Sequence, residues 1–170
     1  CMLGVPDPSE PTYGYRMLRG DETGPLLAGH VVSRRVVASE RNKQPPAPVV
    51  ATTVVSSQLL GHMARRNRWN YVETLTGFKH LARAADDQPG ELAFAYEEAI
   101  GTCPAPQVVA DKDGIATALI AAQWVADLKE QGRTLLDELA ELEQKIAATK
   151  FSKEAREKAT SELKKLKSMS

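Results

Sequence analysis

With 170 residues the chain can bury a real core, and its length favours one domain with at most an appendage. Its charges cancel, 22 Lys and Arg against 22 Asp and Glu, which removes the electrostatic footprint of a nucleic-acid binder or of a partner for acidic surfaces. No apolar run is long enough to span a bilayer and no secretory signal pattern opens the chain, so no membrane partner and a cytoplasmic, reducing compartment are expected.

Residues 1–5 and Tyr15–Leu18 read as two short strands, joined by turn chemistry in PDPSEPTYG; a hairpin is the simplest arrangement. Because Cys1 to Val5 opens directly in an apolar strand, the expectation is a chain cut from a longer one. Helix signals begin at Gly20-Asp21-Glu22-Thr23-Gly24-Pro25, with Asp21 or Thr23 as cap and Pro25 tolerated in the first turn. Leu26, Leu27, His30, Val31 and Val36 then face a core, His30 as a structural histidine. Glu40–Pro48 carries three prolines and no apolar face, which marks a domain boundary.

Beyond that boundary strands and helices alternate. VVATTVV (49–55) reads as a buried strand, SSQLLGHMARR (56–66) as a helix capped by Ser56 or Ser57, and NYVETLT (70–76) as a second strand. A short helix from about Phe78 precedes a third strand over Glu91–Tyr96. Such alternation implies βαβ units and a parallel or mixed sheet, so the predicted class is α/β: a small mixed sheet with flanking helices, followed by a C-terminal helical hairpin. Asp111-Lys112-Asp113-Gly114 opens a long helix in which Ile115, Leu119, Ala122, Val125 and Leu128 repeat at helical spacing, ending at Gly132 as a C′ residue. Thr134 caps the next helix, with Leu135, Leu139, Leu142 and Ile146; a break at Thr149–Phe151 leads to the last, with Ala155, Ala159, Leu163 and Leu166. These two helices need a partner for their narrow stripes, either the long helix or a second copy of the chain.

The chemistry of the chain concentrates in 93–101, AFAYEEAIG, an apolar strand ending in two adjacent carboxylates and a glycine. Ligands gather at the carboxyl ends of parallel strands, and paired acceptors there match the hydroxyl donors of a sugar. The bland alternative is that Tyr-Glu-Glu is the solvated start of the next element. Two further loops fall at equivalent ends: Thr76-Gly77-Phe78-Lys79-His80, whose Thr-Gly lets backbone N–H groups approach an anion, and Asp111–Gly114 at a helix N-terminus. With Lys79 and Lys112 adding positive charge, the set suits a phosphorylated sugar. Asp111 and Asp113 read as cap and dipole match rather than as metal ligands, and Cys1 and Cys103 fit no metal spacing.

VVATTVVSSQLL, ETLTGFKHL, FAYEEAIG, DKDGIATALIAAQWVADL and GRTLLDEL resemble, in sequence and spacing, the third domain of the α-D-phosphohexomutases, the phosphoglucomutases and phosphomannomutases. The resemblance covers about 1–139. It implies a tail of domain 2 over 1–44 and a sugar-binding domain 3 over 45–139. It further implies that Glu97 and Glu98 bind sugar hydroxyls, that Thr76 and Gly77 line the cleft, and that Lys112 reaches the phosphate or the ring of a hexose phosphate. The family's reaction, intramolecular phosphate transfer on hexose phosphates, also needs a phosphoserine loop, a magnesium loop of the type Asp-x-Asp-x-Asp-Arg and a phosphate-clamping loop. No Asp-x-Asp-x-Asp-Arg occurs in this sequence. The resemblance therefore implies no catalytic residue and no cofactor in this chain, magnesium belonging to the parent family, with weak hexose phosphate binding and no turnover by the chain alone.

Residues 138–170 instead resemble a helical segment of the Lon-type ATP-dependent proteases, an interaction element without catalytic residues. A Lon-like helical hairpin over 140–170 is the resulting expectation, with self-association or a partner helix through 138–170. The alternative to a mutase fragment is an interaction module or an engineered fusion in which these helices bind a partner.

Overall fold

The computed structural model describes residues 3–39, with side chains as far as 35, and 46–145. β1 (Leu3–Pro6) and β2 (Tyr15–Leu18) form the expected antiparallel hairpin, Leu3 opposite Leu18, which turns Val5 and Leu18 inward. α1 (Gly20–Ser39) begins before both expected caps, one residue ahead of Asp21 and three ahead of Thr23. Its first turn is closed by Glu22, whose carboxylate reaches back to accept from Arg19 N–H at 2.8 Å, half of a capping box. Asp21 and Thr23 do not cap: Asp21 bonds to other elements, and the buried Thr23 hydroxyl has no protein partner among the described residues. Pro25 lies beyond the first turn, not in it. Leu26, Leu27 and Val31 are buried as expected, His30 is half-buried and stacks on Trp124 at 4.6 Å, and Val36 lies outside the described side chains.

Four strands make one mixed sheet in the order β4-β3-β5-β6. β3 (Val49–Thr53) runs parallel to both β4 (Asn70–Thr74) and β5 (Leu92–Glu97). β6 (Gly101–Cys103), which has no signal as a separate strand in so short a run, returns antiparallel to β5. Side chains alternate across β3, so Val50 enters one core cluster while Val49 and Ala51 enter the other. On β5 a bulge between the partners of Val49 and Val50 inserts one residue, and both Ala93 and Phe94 face the first cluster. That cluster holds Leu27 and Val32 of α1, Leu60 and Met63 of α2 (Leu59–Asn67), and Trp124 and Leu128 of α4 (Gly114–Glu130). The opposite face is covered by Phe78 and Leu81 of α3 (Phe78–Leu81). The result is the α/β arrangement with flanking helices that the alternation of elements implies.

Two details depart from expectation. Gln58, not Ser56 or Ser57, is the N-cap residue of α2 and makes no side-chain cap bond; Ser57 Oγ accepts only a long bond, 3.4 Å, from the first helical N–H, that of Leu59, and Ser56 is drawn to a glutamate on the neighbouring loop. On α4 the stripe Ile115, Leu119, Val125 is exposed, 88%, 71% and 42% respectively, and of the expected repeat only Leu128 is buried. The buried face is instead Thr117, Ala121, Trp124 and Leu128. Both faces are apolar, so periodicity does not choose between them; the Thr117 hydroxyl, 2.7 Å from that of Thr102 on β6, and the bulk of Trp124 do.

α4 ends as its glycine implies. Arg133 N–H donates to Leu128 O at 2.9 Å and Gly132 N–H to Lys129 O at 3.0 Å, the two bonds of a Schellman motif with Gly132 at φ +69°. Thr134 then caps α5 (135–145): its hydroxyl accepts from Asp137 N–H at 3.2 Å and Asp137 accepts from Thr134 N–H at 2.8 Å. Leu135 and Leu139 are buried in the same cluster as Trp124 and Leu128, so the described part of this helix packs on its own chain. Ile146, the break at Thr149–Phe151, the last helix and most of the linker before Pro46 lie outside the described residues.

Candidate functional site

Because β4, β3 and β5 are parallel, the segments after Thr74, Thr53 and Glu97 leave the sheet at one edge. The chain between β6 and α4 doubles back to that edge, held by Asp113 N–H donating to Thr102 O at 2.9 Å. Lys112 thereby arrives beside the end of β5. Its Nζ lies 3.2 Å from Glu97 Oε1 and 5.5 Å above the ring centroid of Phe78. One ammonium therefore joins the carboxylate loop, the helix-start loop and the turn after β4, at an ion-pair distance and within cation–π range. The Glu97 side chain is 14% exposed and that of Lys112 53%. Gly101 backs the pair: a Cβ there would lie 2.7 Å from Lys112 Cδ and 2.8 Å from Glu97 Cγ, so a larger residue would displace one of the two side chains.

Glu98 faces a different environment. Its Oε2 accepts from Thr53 Oγ1 at 3.1 Å and Ser56 Oγ at 3.2 Å, two hydroxyls that are themselves 2.8 Å apart. Beneath them Asp21 of α1 accepts from Ser57 N–H at 2.8 Å and from the Tyr96 hydroxyl at 3.0 Å. Burial, with Asp21 adding to it, holds the Tyr96 phenol above its ordinary range, so it stays a donor. Gly24 permits this contact, because a Cβ there would stand 2.4 Å from the Tyr96 ring. Thr53 and Ser56 lie within the block VVATTVVSSQLL, and Asp21 in a helix-start signal, but no sequence signal assigned any of the three a role at the site.

The remaining sequence candidates divide. Gly77, at φ +112°, makes the turn that presents Phe78, while the adjacent Thr76 is exposed. Lys79 does not join Lys112: it lines a separate groove of about 430 Å³ with His80, Arg83 and Asp86. Asp113 is the N-cap of α4, its carboxylate accepting from Ala116 N–H at 2.9 Å, and Asp111 accepts from Lys112 N–H. Among the described residues no group of three or more His, Cys, Asp or Glu side chains could hold a metal ion. Chemically, the cluster offers fixed carboxylate acceptors beside one exposed ammonium, suited to binding a polyhydroxylated anion.

Comparison with known proteins identifies the family of the chain. Residues 19–146 match the family model described as phosphoglucomutase/phosphomannomutase, alpha/beta/alpha domain III. A "Probable phosphomannomutase" of Haemophilus influenzae is 31% identical over 146 residues, which cover 86% of this chain and 27% of that protein. A phosphoglucomutase of Staphylococcus aureus is 32% identical over 130 residues, 75% of this chain and 22% of that protein. The chain thus spans about a quarter of the length of the curated relatives it matches. A solved structure from Thermus thermophilus, described as a phosphomannomutase, superposes with a TM-score of 0.60 at 19% identity over 77% of this chain and 26% of its own, a likeness of fold.

Proposed function

Since this chain belongs to the phosphoglucomutase/phosphomannomutase family, corresponding to a fragment that contains its α/β/α domain III, we propose that it supplies the hexose-phosphate-binding surface of such an enzyme. In the whole protein the reaction would be intramolecular phosphate transfer on a hexose phosphate. The observation that carries this reading is the meeting of three loops at Lys112, between Glu97 and the Phe78 ring. A carboxylate accepts from sugar hydroxyls, and an exposed ammonium neutralises phosphate or polarises a ring substituent. The Glu97–Glu98 loop, Lys112 and the Thr76-Gly77 turn form the binding surface. In this reading Glu97, Lys112 and the Thr76-Gly77 turn bind and orient the ligand, and no step of phosphoryl transfer is assigned to them.

Titration of ¹⁵N-labelled chain with glucose 1-phosphate and with mannose 1-phosphate tests the proposal. Weak, saturable shifts are expected in 76–79, 97–101 and 111–113, lost in Glu97→Ala and in Lys112→Ala. Identical shifts with inorganic phosphate alone, or undiminished binding by both variants, would refute it. A cytoplasmic location completes the reading, supported by the buried free thiol of Cys103; among the described residues no helix is long and apolar enough to cross a membrane. A docking role, through a second copy or a partner helix on 138–170, is favoured by the exposed Ile115 and Leu119 of α4. Light scattering that finds a monomer at all concentrations would remove it.

A further inference from the structure

Glu97 and Glu98 are neighbours in sequence, but what holds each carboxylate is of a different kind. The partner of Glu97 is Lys112, half exposed and on a flexible stem, which a ligand can share or displace. Those of Glu98 are two hydroxyls in the protein interior, Thr53 at 1% exposure and Ser56 at 7%. An ionised carboxylate only accepts, and these two short, buried hydroxyls, 2.8 Å from each other, have it as their shared acceptor. The backbone is pinned as well: Gly20 at the start of α1 lies so close that a Cβ there would stand 2.0 Å from the Glu98 carbonyl oxygen. Glu98 thus closes a bridge between the turn after β3 and the loop after β5, seated on the first turn of α1. From this geometry we infer that Glu98 is a positioning residue rather than a sugar contact: through Thr53 and Ser56 it sets the loop so that Glu97 meets the ligand. The inference rests on the hexose phosphate reading above and divides the labour within that site.

The test is a set of ¹⁵N titrations of the full chain with glucose 1-phosphate and its 2-, 3-, 4- and 6-deoxy analogues. A direct contact couples to particular hydroxyls, so the penalty of Glu97→Ala should shrink with the one or two analogues lacking a hydroxyl that the carboxylate holds and stay the same with the others. Glu98→Ala should weaken every ligand by the same factor, about two- to tenfold for the lost bridge. Thr53→Val, which keeps the volume and removes the hydroxyl, should reproduce that loss and add nothing in the Glu98→Ala background. Thr53→Ser, which keeps the hydroxyl, should bind as wild type. A Glu98→Ala penalty that shrinks with only one or two of the deoxy analogues, or wild-type affinity in Thr53→Val, would overturn the inference. Should the wild-type chain bind no hexose phosphate, the functional reading fails by itself, and the bridge is judged by the amide shifts of residues 97–101 in Thr53→Val. Displaced shifts there support it, and unchanged shifts overturn it.

Discussion

Cys103, the last residue of β6, is fully buried, and its thiol donates to Val109 O at 3.3 Å, under the loop that carries Lys112. Burial, and after it the charges of Asp111 and Asp113, pushes the thiol up to about 11. Thiolate is the reactive form, so at pH 8.5 iodoacetamide should leave Cys103 unmodified in the native chain and label it fully in urea, read on the peptide by mass spectrometry. A raised folded value stabilises the fold below the unfolded range near 9, and the contribution is lost as pH rises toward 11. Cys103→Ala should therefore flatten the alkaline loss of stability, on the order of 2 kcal/mol in the wild type. Fast native labelling would show instead that the loop before α4 opens readily. Glu97, Glu98 and Lys112 stood out in sequence as candidates because carboxylates and a lysine at loop positions announce themselves; the partnership of Thr53 and Ser56 with Glu98 did not, since a hydroxyl at a strand end looks like any turn residue until its partner 40-odd positions away is in place.

α4 shows what helical spacing resolves and what it leaves open. Its limits follow from local chemistry, the Asp113 cap and the Schellman turn at Gly132, both readable from neighbours along the chain. Its orientation does not, because Ile115, Leu119 and Val125 on one side rival Ala121, Trp124 and Leu128 on the other. Truncation separates the faces. Trp124→Ala should cost about 3–5 kcal/mol in urea unfolding, because the ring is buried in the cluster shared with α1 and α5 and stacks on His30. Leu119→Ser, at a position 71% exposed, should change stability by no more than about 0.5 kcal/mol. Comparable losses from both would mean that the exposed stripe is covered in solution.

The N-terminal hairpin and α1 belong energetically to the same body as the sheet: Val5 and Leu18 share a cluster with Phe94 and Leu60, and Glu22 ties the parts together. That buried carboxylate accepts from Arg19 N–H and from the guanidinium of Arg16 on β2. Burial alone would raise its titration, but the Arg19 backbone and side-chain bonds and the charges of Arg16 and Arg19 prevail, and it is lowered from 4.5. A depressed carboxylate stabilises the fold above its unfolded value and loses that contribution as pH falls through the folded one. Glu22→Gln should therefore cost about 1–2 kcal/mol at pH 6, and the gap to wild type should close as the pH falls below 4.5. A gap independent of pH, in urea titrations at pH 6, 4.5 and 3.5, would show that the charge is immaterial.

Period-2 and helical patterning, turn chemistry and caps are local, so the chain order of strands and helices, the α/β class, the hairpin and the loop AFAYEEAIG were all readable before any coordinates. Residues that interact with their own neighbours along the chain declare their conformation. Assembly is a different matter. The bulge that turns Ala93 and Phe94 to one side, the rotation of α4 and the release of Asp21 and Ser56 from capping all depend on contacts between segments far apart in sequence. Nearly equivalent local choices differ there by less than one hydrogen bond or one buried ring contributes, so packing chooses among them. The division between Glu97 and Glu98 is the sharpest instance: two identical side chains, one residue apart, take their partners from opposite sides of the loop.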